Sequence, residues 1–141
     1  MKILLAEDNI VNQKIALAYL SQLGCQTDVA ENGERMLQLL EIKECDVILM
    51  DCQMPLLDGY ATTQAIRQLE ATSLSTSHTT KQRAKQRAKL TVIVAITANA
   101  FKEDRDRCLT VGMDDYLCKP VSKQQLKKTL EYWLLQTSQD Y

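Results

Sequence analysis

The chain has 141 residues, 45% of them hydrophobic and 25% charged, with a formal net charge of −1; this is the profile of one ordinary globular domain with enough apolar material for a core. Four glycines, none near another, exclude a phosphate loop or a GxGxxG dinucleotide turn, and a single histidine, His78, excludes a multi-histidine metal site. Five cysteines without a CxxC pair argue against a zinc ribbon or a disulfide framework and for a reducing cytosol.

The first apolar run, Ile3–Ala6, reads as a buried strand and ends at Glu7-Asp8. Asn9 to Leu23 carries Val11, Ile15, Ala18 and Tyr19 at helical spacing and stops before Gly24. Thr27–Ala30 is a short strand, and Glu34–Ile42 is a helix with Met36, Leu37, Leu39 and Leu40 on its apolar face. Val47–Met50 is a second apolar strand and ends at Asp51. Pro55 then makes a turn, and Asp58 caps a helix that reaches about Leu69. Thr91–Ile96 is a β-branched strand ending at Thr97, and Ala100–Val111 is a helix stopped by Gly112. Tyr116–Cys118 is the last strand and ends at Lys119-Pro120. Ser122 and Gln125 form a capping box for a final helix with Leu126, Leu130, Trp133 and Leu134 on one face.

Five apolar strands alternating with helices predict an α/β fold: a doubly wound, five-stranded parallel sheet covered on both faces. No apolar run exceeds six residues (Ile15–Leu20), and charges at Lys2, Glu7 and Asp8 leave no signal peptide, so no membrane contact is expected. Between about residues 70 and 90 the link from helix to strand is far longer than the roughly 2–6 residues usual for such connections. It is Ser/Thr-rich in its first part, expected to be flexible, and then reads KQRAKQRAK over 81–89. Those nine residues hold five positive charges; the remainder has 12 basic against 18 acidic residues. Without interleaved aromatics the stretch is a poor nucleic-acid site, and a solvated insertion or an electrostatic dock for an acidic partner is the expectation.

Doubly wound sheets bind ligands outside the carboxyl ends of their strands. The groups delivered there are Glu7-Asp8, Asp51, Thr97 and Lys119. Each alone is most simply a turn or loop residue; together they fall on one edge. Three clustered carboxylates repel unless a cation joins them, and an all-oxygen set suits Mg²⁺. Such a site beside a lysine and a hydroxyl is equipped for phosphoryl transfer, with Asp51, at the end of the central strand, as the nucleophile candidate.

The stretches LLAEDN (4–9), DCQMPLLDGY (51–60), AITANA (95–100) and DYLCKP (115–120) resemble, in order and spacing, the receiver domain of two-component response regulators. The resemblance covers the whole chain outside the insertion. Asn9-x-x-Asn12-Gln13 and AITANA are closer to receivers of hybrid histidine kinases than to those fused to DNA-binding outputs. It implies a flavodoxin-like (β/α)5 fold with strand order 2-1-3-4-5, and a phosphoacceptor switch. Asp51 would take a phosphoryl group from a phosphohistidine of a histidine kinase or histidine phosphotransfer protein. Glu7, Asp8, Asp51 and the Gln53 backbone carbonyl would hold Mg²⁺. Lys119 would pair with the phosphoryl group, Thr97 would swing toward it, and Tyr116 would turn inward. The altered surface, residues about 100–136, would be read by a partner or by a second copy of the chain. Gln53 and Asn99, both amides, flank the path of attacking water and imply slow hydrolysis. Two other readings stay open on sequence: a phosphorylation-independent interaction module, and an aspartate-nucleophile phosphatase. The phosphatase reading is weakened by Gln53, where an acid is needed. Cys52, Cys118 and Trp133 are read as core residues.

Overall fold

The computed structural model describes residues 1–76, 91–98 and 101–139. Five strands, β1 (Lys2–Ala6), β2 (Gln26–Ala30), β3 (Val47–Asp51), β4 (Val92–Thr97) and β5 (Asp115–Cys118), alternate with helices α1 (Ile10–Gln22), α2 (Gly33–Ile42), α3 (Gly59–Thr76), α4 (Lys102–Val111) and α5 (Lys123–Gln139). All pairings are parallel and the strand order is β2-β1-β3-β4-β5, as expected. Every residue of β3 and β4 is buried, which is why those strands are continuous apolar runs rather than alternating ones.

Successive strand side chains enter opposite layers. Leu4, Ala6, Ile48, Met50, Ile93 and Ala95 pack with Met36 and Leu39 of α2, Tyr60 and Ile66 of α3 and Cys108 of α4. Ile3, Leu5, Val47, Leu49, Val94 and Leu117 pack with Leu20 of α1 and Leu126 and Leu130 of α5. Each valine, leucine, isoleucine and methionine among them contributes roughly 1.5–3 kcal/mol by leaving water.

Local signals end the helices where the chain must turn. The Asn9 and Asn32 side chains accept N–H bonds from Asn12 and Arg35 at the starts of α1 and α2. Asp58 caps α3 through Ala61 N–H, and Ser122 and Gln125 bond reciprocally as a capping box. Gly112 ends α4 at φ 108°, a left-handed conformation that suits glycine.

Four expectations are corrected. On α1, Val11 and Ile15 face solvent, while Leu20 is buried with Ala16, Tyr19 and Leu23 packed beside it. The helix carries two apolar stripes, and periodicity does not say which one meets the sheet. On α5, Leu134 is exposed, whereas Trp133 packs on the core and donates its indole N–H to Asp115 Oδ2 (3.0 Å). α3 continues to Thr76, past the expected end near Leu69, so the first residues of the supposed insertion are helical. α4 starts at Lys102 rather than Ala100, with Phe101 as its N-cap. The rest of the 70–90 stretch, His78 included, lies outside the described residues, as does Asn99.

The base of that link is defined by its flanks. Arg67 of α3 donates to the carbonyls of Thr91 (2.8 Å) and Gly112 (2.9 Å) and to the carboxylates of Glu70 (2.7 Å) and Asp114 (2.8 Å). Glu70 in turn accepts the Thr91 N–H at 3.0 Å. This clamp ties α3, the approach to β4 and the α4–β5 turn together at the edge opposite the strand carboxyl ends.

Candidate functional site

The strand order reverses at β1. The chain leaves β1 toward β2 on one side and later returns to β3 on the other, so the connections part between β1 and β3 and open a crevice at their carboxyl ends. Glu7 and Asp8 follow β1, and Asp51 closes β3. Carboxylate oxygens of all three lie within 4.8 Å of one another. Asp51 is held from both sides: its Oδ1 accepts the Gln53 N–H at 3.0 Å and its Oδ2 accepts from Lys119 Nζ at 3.0 Å. Lys119 Nζ also stands 3.8 Å from Glu7 Oε2. Thr97, buried, ends β4, and its carbonyl accepts the Lys119 N–H at 2.8 Å.

Two backbone features place Asp51. The Cys52 N–H donates to the Ile96 carbonyl at 3.0 Å, which carries the β3–β4 ladder one residue past Asp51. Gly59 then passes so close that a Cβ there would lie against the Asp51 carbonyl and Cys52 Cα. In the loop between them Leu56, largely exposed to solvent, sits at φ 68°.

Charge is unbalanced in the crevice, with three carboxylates against one ammonium. Burial, with a hydrogen bond and charge from Asp51, pushes the Glu7 carboxyl up to about 7, although Asn12 and Lys119 pull the other way. Burial pulls the Lys119 ammonium down, but the hydrogen bond and charge of Asp51 outweigh it, so the net direction is up. The donor set is all oxygen, and its excess negative charge is what a hard divalent cation neutralises; these residues fit Mg²⁺. An open cleft of about 550 Å³ leads to Asp8, Gln53 and Thr97.

Glu7, Asp8, Asp51, Gln53, Thr97 and Lys119 are thus brought to one edge. Tyr116 is not: it lies half-buried along β5, where its hydroxyl accepts from Arg105 Nη1 at 3.0 Å and its ring faces the same guanidinium at 5.6 Å. Cys52 is buried in the core, as expected, and burial pushes its thiol up to about 12. Cys118 is half-buried, and all five cysteines are free.

Sequence reading missed three contacts. Asn12 donates to Glu7 Oε1 at 2.8 Å, Arg105 holds Tyr116, and the Arg107 guanidinium lies 3.9 Å over the Tyr60 ring at the mouth of the cleft. Asn12 left a trace in the Asn9-x-x-Asn12-Gln13 run; nothing in the sequence marked either arginine.

Comparison with known proteins adds independent findings. A family model described as response regulator receiver domain matches residues 3–131. Over 134 residues the chain is 44% identical to hybrid signal transduction histidine kinase B of Dictyostelium discoideum, covering 92% of this chain and 7% of that protein. The chain therefore spans a small part of the curated relatives it matches. A solved receiver domain of a sensor histidine kinase from Pseudomonas aeruginosa, with magnesium coordinated in its active-site cleft, is 38% identical (TM-score 0.74; 94% of this chain and 96% of that one). The Ssk1 receiver domain of Saccharomyces cerevisiae, solved with the histidine phosphotransfer protein Ypd1, is 30% identical (TM-score 0.81; 97% and 91%). Among the described residues, no helix is long and apolar enough to cross a membrane.

Proposed function

The chain belongs to the response regulator receiver family of two-component signalling, and from that membership we propose that Asp51 is its phosphoacceptor. The observation that carries this assignment is the pairing of Asp51 Oδ2 with Lys119 Nζ inside the three-carboxylate crevice. A carboxylate beside a lysine, next to Asp8, Gln53 and Thr97 of the open cleft, is a nucleophile placed where an anionic phosphoryl group can bind.

Glu7, Asp8, Asp51 and the Gln53 carbonyl would hold Mg²⁺. Bound there, Mg²⁺ neutralises the crevice and the incoming phosphoryl oxygens. In the transfer, an Asp51 carboxylate oxygen attacks phosphorus in line with a phosphohistidine nitrogen. The P–N bond breaks as the P–O bond forms, and the imidazole takes a proton from solvent. The Lys119 ammonium follows the new charge onto the phosphoryl oxygens, and the Thr97 hydroxyl donates to one of them. The aspartyl phosphate carries nearly two negative charges, with three acceptor oxygens, where the Asp51 carboxylate carried one. Motion of Thr97 opens room for Tyr116, which would leave Arg105 and turn inward, changing the α4–β5–α5 surface. Exposed Leu109, Tyr132 and Leu135 lie on those helices, where a partner or a second copy of the chain would read the change.

The donor would be a histidine kinase or histidine phosphotransfer protein in the cytoplasm. Ile10, Val11 and Ile15 support this reading: they leave an apolar surface on α1, directly after the acidic pair. The segment 77–90 would stand outside the switch, and neither nucleic acid nor membrane is a partner in this reading.

Asp51→Asn removes the nucleophile. Wild type incubated with acetyl phosphate and Mg²⁺ is expected to gain one phosphoryl mass in intact-protein mass spectrometry, and the variant none. A variant that still labels would overturn the assignment of Asp51.

A further inference from the structure

Glu7 is held at its backbone as well as at its carboxylate. Its N–H donates to the Ala30 carbonyl at 3.0 Å and its carbonyl accepts from Gln13 Nε2 at 2.6 Å, so the backbone is fixed from both sides. A glutamate still has three side-chain torsions, and the last is a soft, roughly two-fold rotor. Two contacts hold it: Asn12 Nδ2 donates to Oε1 at 2.8 Å, and the carboxyl shares a hydrogen bond with Asp51, while Oε2 stays on the Lys119 side. Asn12 is itself held by α1, because its N–H is the one that Asn9 caps.

We propose that Asn12 is a positioning residue for the metal site, tying one oxygen of Glu7 so that the other is aimed into the carboxylate crevice. This rests on the reading of Glu7, Asp8 and Asp51 as Mg²⁺ ligands. The chemistry suits an amide: it donates to a carboxylate without adding charge, whereas a lysine or arginine in its place would cancel part of the charge that attracts the cation. Partners of this kind typically set metal affinity by about 10–100-fold.

The test separates positioning from structure because Asn12 is exposed on a helix surface, where alanine is an excellent helix former. Wild type, Asn12→Ala, Asn12→Asp and, as a ligand control, Asp8→Asn are titrated with MgCl2 by calorimetry, and the metal-free melting temperature of each is recorded. Asn12→Ala is expected to raise the Mg²⁺ dissociation constant about tenfold or more with its metal-free melting temperature unchanged. Asn12→Asp, which turns an acceptor toward Oε1, is expected to weaken Mg²⁺ further. Wild-type affinity in Asn12→Ala, with Asp8→Asn impaired, would overturn the role of Asn12 and leave the metal site standing. Failure of wild type to bind Mg²⁺ would overturn both. A fall in metal-free melting temperature with no change in affinity would make the contact structural and overturn the proposal.

Discussion

Glu7 is buried beside Asp51, and its carboxyl in the fold holds its proton up to about pH 7, while the unfolded chain releases it near the ordinary 4.5. Between those values the native state binds more protons than the unfolded state, so metal-free stability falls as pH rises from about 4.5 to about 7 and levels off above. Urea midpoints measured across this range should drop with rising pH in wild type and stay nearly flat for Glu7→Gln; a flat wild-type profile would refute the account. At this scale the sequence was legible where chemistry follows a strand: Glu7, Asp8, Asp51, Thr97 and Lys119 each end an apolar run. It was not legible where one side chain reaches another across the fold. Asn12 on Glu7 and Arg105 on Tyr116 depend on rotamers and helix azimuth, which no spacing rule encodes.

α1 illustrates the corresponding limit for an element. Its start and stop were written in Asn9 and Gly24, but its azimuth was not, because Val11 and Ile15 form one apolar stripe while Ala16, Leu20 and Leu23 form another. The second stripe wins because it meets Ile3 and Leu5 of β1, and the first is left in water beside the crevice. If that stripe seats the phosphohistidine donor, Val11→Glu with Ile15→Glu should slow transfer from a histidine phosphotransfer protein about tenfold or more, equivalent to ~1.4 kcal/mol. Labelling by acetyl phosphate, which needs no docking surface, should be unchanged. Equal loss with both donors would instead indict the site itself. α3 errs the other way: Ser and Thr in its last turns suggested a loop, yet the helix runs on to Thr76, since such residues are weak helix formers rather than breakers.

For the whole molecule, strand order, parallel pairing and the two-layer core were all readable, because each buried strand announces itself as an apolar run and each helix as a periodic one. The Arg67 clamp was invisible, since its partners Thr91, Gly112 and Asp114 are far along the chain. Arg67→Ala should destabilise the domain by about 1–3 kcal/mol, the range for groups left without their bonds, seen as a lower urea midpoint. Replacing residues 77–90 by a short Gly/Ser link should leave both the midpoint and acetyl phosphate labelling close to wild type; a lost fold would show the clamp to be insufficient.

Because Thr91 is held to α3 by Arg67 and Glu70, the approach to β4 is tied to α3 by the fold itself. Closing a chain between fixed points costs free energy that grows only logarithmically with its length, about 0.6 kcal/mol per doubling. Were the link a flexible one, its length would be almost thermodynamically neutral, and the receiver would carry a short or a long one with the same switch beneath it.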